Sequence, residues 1–232
     1  MSTLLVVAHP DDEILGFGAS AFVQSKLGER INCLIICGNA EARKNRPELS
    51  QLRDDMIQAA EHVGIKIFGV GQFANIRLNT VPHIEIVQFI EAAIVECRPR
   101  RIITHHPHDL NQDHYFTSLA CQAASRLFQR REDIEPLEEL LFMEVLSSTD
   151  WSFSQEGSRF VPNSFIEVGN EALLRKIEAL SMYEGVMRSY PHPRSIESIT
   201  GLASIRGSQS GLVYAEAFQS VFSRYSINQS LK

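Results

Sequence analysis

Two segments of this chain carry side chains able to do chemistry. The first, Ala8-His9-Pro10-Asp11-Asp12-Glu13, sets a histidine and two adjacent carboxylates directly after the apolar run Leu4-Leu5-Val6-Val7. The second runs Thr104-His105-His106-Pro107-His108-Asp109-Leu110-Asn111-Gln112-Asp113-His114 and packs four histidines and two aspartates into eleven residues. A catalytic zinc ion typically takes three protein ligands from His, Asp or Glu and keeps one position for water. His9, Asp12 and one histidine of the second segment would supply that set. Neighbouring residues in a turn point different ways, so one of the paired aspartates can bind a metal while the other faces a substrate.

The elements that must position these groups alternate. Strands are expected at Leu4–Ala8, Ile31–Cys37, Ile65–Phe68, Ile102–Thr104, Leu140–Val145 and Ser164–Glu167. Between them Leu49, Leu52, Met56, Ala59 and Val63 recur at helical spacing, as do Val87, Ile90 and Ile94, then Phe116, Leu119, Ala123 and Leu127. Leu173, Ile177 and Leu180 mark a later helix, and Ile196, Ile199 and Ala203 a shorter one. This order predicts an α/β chain, a Rossmann-like three-layer fold with a mostly parallel central sheet and helices on both faces. Ligands of such sheets sit beyond the carboxyl ends of the strands. His9–Glu13 follows the first strand and His105–His114 follows Ile102–Thr104, so both should open onto one rim. Pro10 biases His9 towards extended backbone, and Asp11 and Asp12 fall at a helix N-terminus, where carboxylates are favoured. Gly16 and Gly18 read as helix-packing residues, since no glycine-rich loop precedes them.

Composition narrows the function classes. At 232 residues the chain reads as one domain over 1–232, with a C-terminal elaboration from about 150. Its 22 basic and 28 acidic residues leave a net charge of −6, which argues against a nucleic-acid partner. No apolar run approaches the ~20 residues of a membrane span, and the start lacks a signal-peptide pattern. Cys33, Cys37, Cys97 and Cys121 are scattered. Cys33 and Cys37 should share a face of one strand, too far apart to bridge or clamp a metal. Buried reduced thiols fit a cytoplasmic protein. Ser152–Ser158 is the expected exposed loop.

Together, Ala8-His9-Pro10-Asp11-Asp12-Glu13 and Asp113-His114 resemble the zinc-dependent N-deacetylases of the PIG-L/LmbE family. The resemblance takes in Arg53 within a helix ending at Gly64, the stretch Asn75-Ile76-Arg77-Leu78, and Arg206-Gly207 ahead of Tyr214-Ala215-Glu216-Ala217-Phe218. It implies one Zn2+ per chain on His9, Asp12 and His114, with Asp11 as general base, and a small N-acetylated, N-acetylglucosamine-type sugar as substrate. It also implies a substrate-hydroxyl or phosphate contact for Arg53. The best-known form of the second motif reads His-Pro-Asp-His, and Asn111-Gln112 stands here in place of its His-Pro. Asn111 can donate a hydrogen bond but has no proton to give near neutral pH. His105, His106 and His192 are therefore the other candidates for the oxyanion or proton-donor role, and Asp113 for orienting a ligand. Arg206 and Glu216 read as a structural ion pair. Trp151 and Phe153 either line a sugar pocket or anchor a loop. Two other readings are a 2-His-1-carboxylate iron enzyme and a non-catalytic sugar- or nucleotide-binding protein. Self-association is common in such folds and is left open.

Overall fold

A computed structural model describes residues 1–38, 48–153 and 159–226. Its centre is strand β1 (Ser2–Val7), buried along its whole length. Leu5 and Val7 enter one apolar cluster and Leu4 and Val6 the other. A continuous apolar run thus marks a strand covered on both faces. Burying each such side chain contributes ~1.5–3 kcal/mol, more than an exposed ion pair such as Lys26–Glu171 offers. Core register, not surface charge, therefore fixes where His9 leaves the sheet.

Strands β2 (Arg30–Ile35) and β3 (Lys66–Val70) add in parallel on one side of β1. Strands β4 (Arg101–His105) and β5 (Glu139–Met143) add in parallel on the other. Two antiparallel strands, β6 (Ser164–Glu167) and β7 (Ala215–Ser223), complete the order β3-β2-β1-β4-β5-β7-β6. Helices α1 (Asp12–Lys26), α2 (Leu49–His62), α5 (Gly169–Met182) and α6 (Ile196–Ser210) bury Leu15, Met56, Leu180 and Ile199 with Leu5 and Val7. On the opposite face α3 (His83–Cys97) and α4 (Gln112–Ala124) bury Ile90 and Cys121 with Leu4 and Val6. The three-layer, mostly parallel fold expected from the alternation is the one observed. The chain runs from β1 outward to β3, then returns to β4 on the other side of β1. The crevice beyond β1 and β4 is the switch point at which such sheets bind ligands.

Several local expectations need correction. Strand β7 was not foreseen as a strand: a register shift opposite Leu140 and Leu141 leaves Val221 unpaired, so the period of two is broken. Cys33 and Cys37 do not share a face. Cys33 packs with Ile35, while Cys37 lies beyond β2 in a lone bridge to Gln72 and packs with Leu34 and Ile36. Among the described residues all four cysteines are free thiols. Helix α6 is as long as α1. Arg206 pairs with Glu144 at 2.6 Å, and Glu216 instead takes the buried Lys176 at 2.7 Å. Of the loop expected at Ser152–Ser158, residues 154–158 lie outside the described residues. Gly16 does serve packing, since a Cβ there would stand 2.3 Å from Met143 Sδ, so its absence seats α1 against the end of β5.

Candidate metal centre

The turn after β1 is wound tightly. Asp11 caps α1 in the left-handed region at φ 98°, a conformation that costs a non-glycine residue ~1–3 kcal/mol unless its surroundings hold it. They do. The Asp11 N–H donates to Glu13 Oε2 at 3.0 Å, and its carbonyl accepts from the N–H groups of Ile14 and Leu15. Glu13 is also hydrogen-bonded to the buried Tyr183 hydroxyl. Burial pushes the Glu13 carboxyl up to about 8, so at neutral pH it is mostly uncharged. Three successive ionised carboxylates are thereby avoided.

Asp12, the first residue of α1, is the hub. Its Oδ2 accepts the His9 backbone N–H at 2.9 Å. The same oxygen faces His9 Nδ1 at 3.3 Å, His114 Nε2 at 3.2 Å and His105 Nε2 at 3.5 Å. One ligand atom from each of His9, Asp12 and His114 lies within 4.8 Å of the others. The far nitrogens of the two rings are held from behind: His9 Nε2 by Asp113 at 2.9 Å and His114 Nδ1 by Asp109 at 2.8 Å. Carboxylates in this position set the tautomer and direction of metal-binding histidines. They leave His9 Nδ1 and His114 Nε2 turned towards Asp12. A buried set of two imidazole nitrogens and one carboxylate oxygen, oriented this way, fits a divalent ion such as zinc. Two other triads, His9–Cys37–Asp113 and His105–Asp109–His114, also converge. Each uses the carboxylate already spent on orienting a ring, and burial holds the Cys37 thiol well above its ordinary pKa, so it is no thiolate.

The supporting shell comes from distant backbone. Asp113 sits in the first turn of α4, which Asn111 caps by accepting the Asp113 N–H on Oδ1 at 3.0 Å. Asp113 also accepts the N–H groups of Ile76 and, at 3.2 Å, Leu78. Ile76 and Leu78, within the stretch Asn75–Leu78, thus act through main-chain donors. Although burial opposes it, bonding to His9 and these N–H groups keeps the Asp113 carboxyl below its usual range. Asp109 accepts the Thr149 hydroxyl on its second oxygen at 2.7 Å.

The remaining candidates divide. His105 ends β4 beneath the triad, its Nε2 accepting the Ala8 N–H at 2.8 Å. Burial and the neighbouring His114 keep it well below the ordinary imidazole pKa, so it stays neutral. His106 packs edge-on against Phe142 and Phe160 and is not brought to the cluster. His192 accepts the Arg194 N–H at 3.0 Å and packs its ring on Trp151. Arg53 stands exposed on α2 and makes no contact with the triad among the described residues. Phe153 lines a cleft of about 620 Å³ with Thr149, Asp150, Phe160 and Arg206. Sequence reasoning missed Arg194, whose Nη1 donates to Asp11 Oδ2 at 3.0 Å and whose Nε donates to Ser147 Oγ at 2.8 Å. Its only visible signal was the neighbouring run Tyr190-Pro191-His192-Pro193.

The proton balance of the triad yields a test on metal-free protein. Burial alone would lower the His114 pKa, but the Asp12 charge and the bonds to Asp109 and Asp12 override it and raise it from 6.5 to about 10. A group raised on folding lends stability that is complete below its unfolded pKa and lost as pH climbs through the folded one. Metal-free protein is therefore expected to lose Tm steadily from pH 6.5 towards 10. Glu13 contributes in the same direction, ending near 8. An ion held on His114 would have to displace that proton, so protein loaded with zinc should show a shallower decline. Parallel melts with and without chelator measure the difference.

By sequence, no curated protein matches the chain. Solved structures share its fold, three among them as follows. The 4-carboxy-2-hydroxymuconate hydratase of Pseudomonas putida KT2440 is 19% identical with a TM-score of 0.74, covering 97% of this chain and 98% of that one. The N,N'-diacetylchitobiose deacetylase of Pyrococcus horikoshii is 14% identical with a TM-score of 0.74, covering 95% and 83%. The A40926 pseudoaglycone deacetylase is 20% identical with a TM-score of 0.74, covering 97% and 98%. One family model, described as PIG-L, GlcNAc-PI de-N-acetylase, matches residues 4–125. That span exceeds half of the chain and holds both the His9–Glu13 turn and the His105–His114 loop, so the chain belongs to the PIG-L family.

Proposed function

We propose that the protein is a zinc-dependent hydrolase that removes acetyl from an N-acetylated amino sugar or sugar conjugate. The observation that carries this reading is the convergence of His9, Asp12 and His114 with Asp11 beside them but outside the set. Two of the fold's neighbours are deacetylases by description, which supports the choice of reaction. His9, Asp12 and His114 would hold the ion. When bound, zinc polarises the amide carbonyl and lowers the pKa of a coordinated water to about 7.

The chain's own groups do the rest. Asp11 takes the proton of the attacking water as the oxygen adds to the acetyl carbon. Its carboxyl then returns that proton to the departing nitrogen as the C–N bond breaks. Acetate and a free amine result. His105, neutral and buried, stacks on the His114 ring with centroids 3.7 Å apart.

The test is a screen of N-acetylhexosamines, free, nucleotide-linked and glycolipid-linked, with zinc-loaded protein. Acetate and amine should appear one to one and disappear on adding dipicolinate. Oxygen uptake coupled to turnover would indicate the iron enzyme instead. Sugar binding without acetate would indicate a binding protein, and water addition to an unsaturated acid a hydratase. Among the described residues no helix is long and apolar enough to cross a membrane. We propose a cytoplasmic enzyme of one domain whose partner is this small substrate.

A further inference from the structure

Hydrolysis of an amide builds negative charge on the carbonyl oxygen, and preorganised donors at that point supply much of the rate. The best-known form of the second motif sets a histidine at the place where this chain has Asn111. Asn111 is committed to capping α4, His105 is neutral with Nε2 taken by Ala8, and His106 is locked between phenyl rings. None brings positive charge to the reacting side. Among the described residues one cation reaches it. Arg194 precedes Ser195, the N-cap of α6, and its backbone is fixed by bonds from its N–H to His192 and from Arg188 N–H to its carbonyl. Its guanidinium reaches Asp11 and Ser147, and the side chain remains 19% exposed.

We infer that Arg194 is a catalytic residue that donates hydrogen bonds to the developing oxyanion, taking the role left open at Asn111. This rests on the deacetylase reading above. A guanidinium has five N–H donors in a planar fork. Nε is used by Ser147 and one Nη1 hydrogen by Asp11, and the others have no partner among the described residues. As water adds, the carbonyl π pair moves to oxygen and the water proton moves to Asp11. Negative charge passes from the Asp11 carboxylate to the oxyanion. A cation that already touches Asp11 keeps an anionic partner throughout, with no proton transferred to or from arginine. On collapse the electron pair returns to re-form the carbonyl, the C–N bond breaks, and Asp11 protonates the amine.

The experiment compares wild type, Arg194→Gln and Arg194→Lys, all zinc-loaded, on the best substrate of the screen. Arg194→Gln should lower kcat about 10²-fold, the scale of one lost oxyanion donor, with KM within threefold. Millimolar guanidinium should restore at least a tenth of wild-type kcat, while urea restores none, and Arg194→Lys should lie between. Methylphosphonate, a tetrahedral anion, should bind wild type at least tenfold more tightly than Arg194→Gln. Unchanged kcat, or a loss that guanidinium does not relieve, would overturn the inference. If wild type releases no acetate from any substrate, the deacetylase reading fails. The methylphosphonate comparison then decides this inference alone, equal binding counting against it.

Discussion

Asp11→Ala is expected to abolish turnover while leaving the ion in place. In the proposed mechanism one carboxyl acts twice, as base towards water and as acid towards the leaving amine, and each such role is worth roughly 10²–10⁴-fold. A fall in kcat of at least about 10³-fold is therefore expected, with little change in KM. Asp11→Asn should do the same, because it keeps the shape but not the proton-accepting oxygen. The metal content of both variants should match wild type, since Asp11 lies outside the converging set. A variant that lost its zinc would place Asp11 among the ligands. The left-handed backbone at Asp11 predates the side chain's chemistry, being held by Glu13, so alanine should not unfold the turn.

Asp12→Ala should act in the opposite order, on the ion first and on activity as a consequence. Asp12 Oδ2 is the common neighbour of His9 Nδ1, His114 Nε2 and His105 Nε2. Its removal leaves two imidazoles and no charge to balance a divalent cation. Zinc affinity should fall by more than the ~10–100-fold that loss of an outer orienting carboxylate costs. Asp113→Ala provides that reference, because Asp113 touches His9 from behind. Competitive titration against a chromophoric chelator measures both. Equal losses in the two variants would erase the distinction between ligand and support. In metal-free protein the ordinary balance also changes. Burial works against the Asp12 charge, and the surrounding histidines hold its carboxyl well below the usual range. Removing it should bring the raised His9 and His114 pKa values down.

Much of this site could be read along the chain, and the reason is physical. β1 is apolar on both faces because it is buried on both, and the ligand rim of a parallel sheet follows from strand direction. The His9–Glu13 turn and the His105–His114 loop were therefore placed together correctly from a hundred residues apart. What escaped were features without a periodic or local signature. β7 hides its pairing behind an unpaired Val221. Ile76 and Leu78 contribute through their backbone N–H groups. Arg194 reaches Asp11 across 183 positions with no repeating pattern to announce it. The Arg206–Glu216 pairing failed because each found a nearer partner, Glu144 and Lys176, which proximity in sequence could not reveal.

X-ray absorption at the zinc edge of the loaded protein bears most directly on where the ion sits. Two imidazole nitrogens and oxygen donors at about 2.0–2.2 Å, with no sulfur, are the expected shell for His9, Asp12 and His114. A zinc–sulfur distance near 2.3 Å would move the ion to Cys37, His9 and Asp113, and would contradict the assignment on which the proposed chemistry stands.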